Sequence, residues 1–167
     1  MNARLTLLRL RAAKNNKIIM NTYCFGYMET NDFHKIRHYL EKLPNGIGIN
    51  DWSSLIIPLH INKNHWAFCE AFRCGKVLYY DSLPLLKRRE ENFERCWNCI
   101  SNYLISLNYC LNLDYEVNHA FPSQQNNYDC GVFMLRGIEA CASNDTPSSE
   151  YFISQYASSL RTILNDN

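Results

Sequence analysis

Cys130 is the residue of this chain best placed to do chemistry. It follows the polar run Gln124-Gln125-Asn126-Asn127-Tyr128-Asp129 and opens Gly131-Val132-Phe133, an apolar stretch whose spacing predicts a helix to about Cys141. A cysteine in the first turn of a helix faces free backbone N–H groups and the positive end of the helix dipole, both of which favour the thiolate, the form that attacks a carbonyl. Gly131 would let a substrate backbone approach closely. The competing reading is a helix cysteine packed as a small hydrophobe. Asp129-Cys130-Gly131 after an Asn-rich turn is unlike ordinary core sequence.

A nucleophilic cysteine needs a base, and the base needs a group to orient it. His65 follows Lys63-Asn64 at the mouth of a strand and can face a cleft, although a histidine there could equally be a plain surface residue. Asp81 ends the apolar run Val77-Leu78-Tyr79-Tyr80, where a carboxylate can fix an imidazole tautomer and stabilise its charge. Its bland reading is a turn residue bonding its own backbone. Gln124 or Gln125 could each donate to an oxyanion beside the sulfur, and chemistry alone does not choose between them. Trp66, directly after His65, is either a core aromatic or a wall of the site.

These residues need a frame. Lys17 to Phe25 reads as a strand running into irregular structure, and Asn31 or Asp32 caps a helix to about Leu43 that Pro44-Asn45-Gly46 stops. Leu55 to His60 is apolar and β-branched, a buried strand. Residues 65–72 and 76–80 flank Arg73-Cys74-Gly75 as a hairpin. With a two-residue loop Asp81 falls opposite Phe68, so a bulge or bend at His65 would be needed to bring the two together. A long helix runs from after Pro84 to about Cys110, with Phe93, Trp97, Ile100, Leu104 and Leu107 at helical spacing. Asp114 to Asn118 is a short strand, and Pro147 begins a last helix to about Leu164. The pattern is one α+β domain.

The chain has 167 residues, 47% hydrophobic and 20% charged, enough for a single core. Net charge +1 gives no strong pull toward nucleic acid or an anionic membrane, and no apolar run reaches the ~18 residues of a membrane span. Eight cysteines, several within apolar runs, fit free thiols in a reducing intracellular compartment. Cys96-Trp97-Asn98-Cys99 has the spacing of half a zinc site, but no second pair matches it, and no metal is expected. His34 and His38 share a helix face with Lys35 and Arg37, which suits solvent better than a metal. Residues 1–17 carry Arg4, Arg9, Arg11, Lys14 and Lys17 without an acid, the composition of a flexible basic extension.

The order His65-Trp66, Asp81-Ser82, Gln124, Cys130, together with Ile56-Ile57-Pro58-Leu59 and Met20-Asn21-Thr22-Tyr23-Cys24-Phe25, resembles the ubiquitin-like-protein-specific cysteine proteases, the SUMO or sentrin protease family. The resemblance spans residues 18–167, a single catalytic domain. It implies a papain-like α+β fold, a mixed central sheet flanked by helices with the cysteine opening a central helix. It also implies hydrolysis after the C-terminal Gly-Gly of SUMO or a related modifier, in precursor processing or deconjugation, in the nucleus or cytoplasm, with no cofactor. On the resemblance Cys130 is the nucleophile, His65 the base, Asp81 its partner and Gln124, rather than Gln125, the oxyanion donor. Trp66 covers the tunnel for the modifier's tail. The family's second tunnel Trp, in a segment before the first strand, has no counterpart in residues 1–17. Two alternatives are an acyltransferase using the same cysteine and a modifier-binding module that does not cut.

Overall fold

Five strands form one mixed sheet in chain order: β1 (Lys17–Ile19), β2 (Ser54–Ile61), β3 (His65–Phe72), β4 (Lys76–Tyr80) and β5 (Asp114–Val117). The computed structural model describes residues 2–42, 51–107, 112–145 and 147. The central β2–β3–β4 meander is antiparallel, and β1 and β5 add to its edges in parallel. Pro58 sits within β2 opposite Phe68 and beyond the last β1 partner, Ile56, so its missing N–H costs no ladder bond.

Helices cover both faces. On one, α2 (Cys24–Glu29), α3 (Phe33–Glu41) and α4 (Leu86–Ser106) bury Met28, Ile36, Phe93, Ile100 and Leu104 against Ala67, Cys69, Val77 and Tyr79. On the other, α1 (Asn2–Ala13) and α5 (Cys130–Ala142) bury Leu5, Leu8, Phe133 and Ile138 against Ile19, Ile56, Phe68 and Tyr80. The alternation follows from the pleat, which sends successive side chains of β3 and β4 to opposite faces. At Gly137 the backbone of α5 comes so near β3 that an added Cβ would lie 2.5 Å from Phe68 Cε1. The papain-like α+β expectation is met, with β2, β3, β4, β5 and α5 within a residue or two of their sequence positions.

Three expectations change. The flexible basic extension does not hold for residues 2–13, which form α1. Leu5, Leu8 and Ala12 give it a buried stripe at helical spacing. The basic groups of residues 1–17 find partners further along the chain: Arg11 Nη1 lies 3.2 Å from Glu139, Arg9 donates to the Ile19 carbonyl, and Lys17, in β1, pairs with buried Glu70 at 2.9 Å. The strand opening at Lys17 stops at Ile19, and where irregular structure was expected to Phe25, Asn21 Oδ1 accepts the Tyr23 and Cys24 N–H groups and turns the chain into α2. The register that a two-residue loop would give does not hold: the loop is Arg73-Cys74-Gly75, the three residues that the sequence places between the strands, with Gly75 at φ 96°. The Pro44-Asn45-Gly46 stop, the Cys110 end of α4 and the last helix from Pro147 to Leu164 fall on or run into stretches outside the described residues.

Candidate active site

The one-residue change in hairpin register resolves the gap between His65 and Asp81. Phe68 pairs with Tyr80, so the next step sets Asp81 opposite Ala67, two residues along β3 from His65 and on the same face of the pleat. No bulge is needed. His65 Nε2 meets Asp81 Oδ1 at 2.8 Å. His65 itself is delivered by a tight turn in which Asn62 and Lys63 take positive φ and Asn64 N–H donates to the Ile61 carbonyl.

Asp81 is almost fully buried, and each carboxylate oxygen is occupied. Oδ1 also accepts the Leu83 N–H at 2.9 Å, and Oδ2 accepts the Tyr79 hydroxyl at 2.7 Å and the Asn92 amide at 3.4 Å. Burial pushes its pKa up, but His65, the Leu83 N–H and Tyr79 outweigh that and hold it below the ordinary 3.8. Both readings of Asp81 therefore apply: it bonds its own turn and also holds the imidazole.

With Nε2 committed to Asp81, His65 presents its other ring nitrogen, Nδ1, to Cys130, with which it is hydrogen-bonded. Burial works against the imidazolium, yet the bonds and charges of Asp81 and Cys130 raise His65 to about 9. Cys130 opens α5 as expected, directly after the capping residue Asp129. Burial raises its thiol, but His65, the Trp66 N–H and the Gly131 N–H overcome this and bring it below the ordinary value. At Cys24 and Cys96 burial prevails, raising the thiols to about 11 and about 12. All seven described cysteines are free thiols.

The structure separates the two glutamines. Gln124 is buried and Gln125 exposed. The Gln124 N–H donates to the Ser82 carbonyl at 2.8 Å, and the Ser82 hydroxyl donates to Gln124 Oε1 at 2.7 Å. Gln124 Nε2 donates to the Asn126 carbonyl, which can only accept; that fixes the amide's orientation and leaves its second N–H for another acceptor. Asn126 orders the approach to the helix, accepting the Tyr128 and Asp129 N–H groups and donating to the Asp129 carboxylate at 2.6 Å. Trp66 is partly exposed and stacks on His60 across the β2–β3 ladder, ring centroids 4.0 Å apart and nearly parallel. Trp52 lies in the core on the α2–α4 face.

Sequence reasoning gave no role to Ser82, Tyr79, Asn92 or Arg89. Ser82 follows Asp81 and Tyr79 lies two residues before it, where a search for its neighbours would have found them. Asn92 and Arg89 reach the site only because α4 crosses beside it.

A thiol, an imidazole and a buried carboxylate in hydrogen-bonded series, at a helix N-terminus, the start of one strand and the end of its neighbour, define a cysteine peptidase. Residues 6–166 match the Ulp1 protease family, C-terminal catalytic domain, and the chain belongs to that family. The match reaches into α1, beyond the span the sequence motifs cover. Solved structures agree in fold. The SUMO protease Ulp1 with its catalytic cysteine oxidised to a sulfinic acid superposes with a TM-score of 0.74 at 15% identity, over 93% of this chain and 72% of that one. The Ulp1 protease domain in complex with Smt3, the yeast ortholog of SUMO, gives 0.73 at 14% identity, over 94% and 72%. The Xanthomonas campestris effector XopD bound to ubiquitin gives 0.63 at 14% identity, over 95% and 89%. No curated protein sequence matches the chain.

Proposed function

We propose that the chain hydrolyses the bond after the C-terminal Gly-Gly of a ubiquitin-like modifier, SUMO or a relative, in precursors or conjugates. One observation carries this reading: His65 bridges a buried carboxylate and the only described cysteine whose thiol is shifted down. Cys130 Sγ attacks the glycine carbonyl carbon as thiolate, and the carbonyl π electrons move to the oxygen. Gln124 Nε2 and the Cys130 N–H stabilise that oxyanion, an interaction worth about 3 kcal/mol for one donor. Collapse breaks the C–N bond, and imidazolium His65 passes its Nδ1 proton to the leaving amine. Water then attacks the thioester while His65 takes a proton, releasing the modifier's carboxylate and the thiol. Asp81 keeps the proton on Nε2 and stabilises the imidazolium. Trp66 borders the path of the modifier's tail. Smt3 and ubiquitin, bound by the relatives above, set the class of partner to test. Seven free thiols support action in a reducing compartment, nucleus or cytoplasm.

The test is a panel of SUMO, ubiquitin and related modifiers carrying a C-terminal thiol-reactive group, read by intact mass with Cys130→Ala as control. One adduct, lost in the mutant, names the modifier. No adduct from folded protein, or one that survives Cys130→Ala, refutes the assignment; transfer from an acyl-CoA donor instead would make the chain an acyltransferase.

A further inference from the structure

Arg89 is among the most buried large side chains of the protein, 1% exposed, although arginine is rarely buried without a carboxylate. Among the described residues it makes no ion pair. Its guanidinium instead reaches two loops. Nε donates to the Leu83 carbonyl on the loop after β4, Nη1 to the Phe121 carbonyl at 3.2 Å, and Nη2 to the Ser123 hydroxyl. Those loops carry the two halves of the site: Asp81 and Ser82 on one, Gln124 on the other. They also meet directly, where the Gln124 N–H and Oε1 bond Ser82.

We propose that Arg89 is a positioning residue that clamps the Ser82–Leu83 loop to the Phe121–Gln124 loop and so fixes the Gln124 amide where the oxyanion forms. This rests on the reading of Gln124 as the oxyanion donor. Three acceptors on two separate segments need a planar fork of several donors, which a guanidinium has and an ammonium lacks. A buried unpaired charge is costly, and an apolar side chain would fill the space without that cost. The arginine is therefore placed for what it holds. Oxyanion donors act only within a few tenths of an ångström of the right place, so a released loop lowers kcat while leaving modifier binding alone.

The test compares Arg89→Met and Arg89→Lys with wild type, alone and combined with Gln124→Ala, on one modifier substrate. Cys130 alkylation by iodoacetamide, which forms no oxyanion, is measured alongside. Arg89→Met is expected to lower kcat about 10²-fold, the loss that follows removal of one donor, with KM and the alkylation rate within about twofold of wild type. On top of Gln124→Ala it should cost little more, since nothing is left to position. Arg89→Lys should recover only part of kcat. Full additivity with Gln124→Ala, or an equal fall in alkylation, overturns the proposal, because Arg89 would then act through His65 and Asp81 or through the fold at large. Should Arg89→Met fail to fold, Ser123→Ala removes one clamp contact from the Gln124 loop and must show the same split in weaker form. If Gln124→Ala itself leaves kcat intact, the oxyanion assignment fails first, and Arg89 has no donor to hold.

Discussion

Replacing Asp81 by Asn removes one charge from the site while keeping its shape. The amide oxygen can still accept from His65 and from the Leu83 N–H, and the Tyr79 hydroxyl can turn to accept from the new NH₂. Asparagine can orient an imidazole in cysteine proteases, so orientation survives and the loss is electrostatic. His65 rises from 6.5 to about 9 in the folded protein. At 1.36 kcal/mol per pH unit that is roughly 3 kcal/mol in favour of imidazolium, after the burial that opposes it. Asp81 is the largest favourable contributor and Cys130 the next. Losing the Asp81 charge should therefore cost roughly half of that or more, a fall of about 10- to 30-fold in the thiolate–imidazolium pair near neutral pH. The assay is the rate of Cys130 alkylation by iodoacetamide from pH 4 to 10, followed by peptide mass with exposed Cys74 as internal reference. At pH 6 an ordinary thiol of pKa ~8.5 is only about 0.3% thiolate, so wild-type Cys130 should outpace Cys74 there. Its rate should change again near 9, where His65 gives up its proton. In Asp81→Asn that upper inflection moves down toward 6.5, and the thiol inflection moves up. An upper inflection that stays near 9 in the mutant would refute the role given to Asp81. A wild-type Cys130 no faster than Cys74 at pH 6 would refute the ion pair altogether.

Other perturbations probe the frame. Gly137→Ala drives a methyl to 2.5 Å from the Phe68 ring and should destabilise by about 1–3 kcal/mol in thermal melts; an unchanged Tm would mean that α5 does not seat on β3 this closely. Lys17→Met strands the charge of the buried Glu70 carboxylate, leaving it the 2.6 Å bond from Ser54 and the Cys141 thiol, and should cost about 3–5 kcal/mol, largely restored by adding Glu70→Gln. Asp81, held below 3.8 when folded, contributes stability that is present above 3.8 and lost as pH falls through its lower native value. Asp81→Asn should therefore flatten the acid limb of Tm against pH below about 4, and an unaltered limb would assign acid loss to other carboxylates. Trp66→Ala removes the ring stacked on His60 and, on the proposed function, should raise KM for a folded modifier several-fold more than it slows iodoacetamide at Cys130.

What the chain carries in itself is local. Alternation over residues 65–72 and 76–80 and helical spacing through Phe93, Ile100 and Leu104 write the strands and α4 directly, because periods of 2 and 3.6 need no information from elsewhere. The same holds for Cys130, whose Asn-rich turn, capping position and glycine all lie within a few residues, and for the order of His65, Asp81 and Gln124. The tertiary structure decided what depends on pairing across distance. A single step of hairpin register sets whether His65 and Asp81 share a face, and sequence left that step open. Gln124 differs from Gln125 through Ser82, on a loop 42 residues upstream. α1 became a packed helix because Leu5, Leu8 and Ala12 find an apolar face on α5 and β1, with Glu139, 128 residues from Arg11, beside its basic groups; unpaired charge in sequence had suggested the opposite. Arg89 gave no signal at all: a basic residue in a charged helical turn reads as solvent-facing until the fold brings Leu83, Phe121 and Ser123 around it. Residue types and their order determined which chemistry was available, and long-range packing determined where each group would stand to perform it.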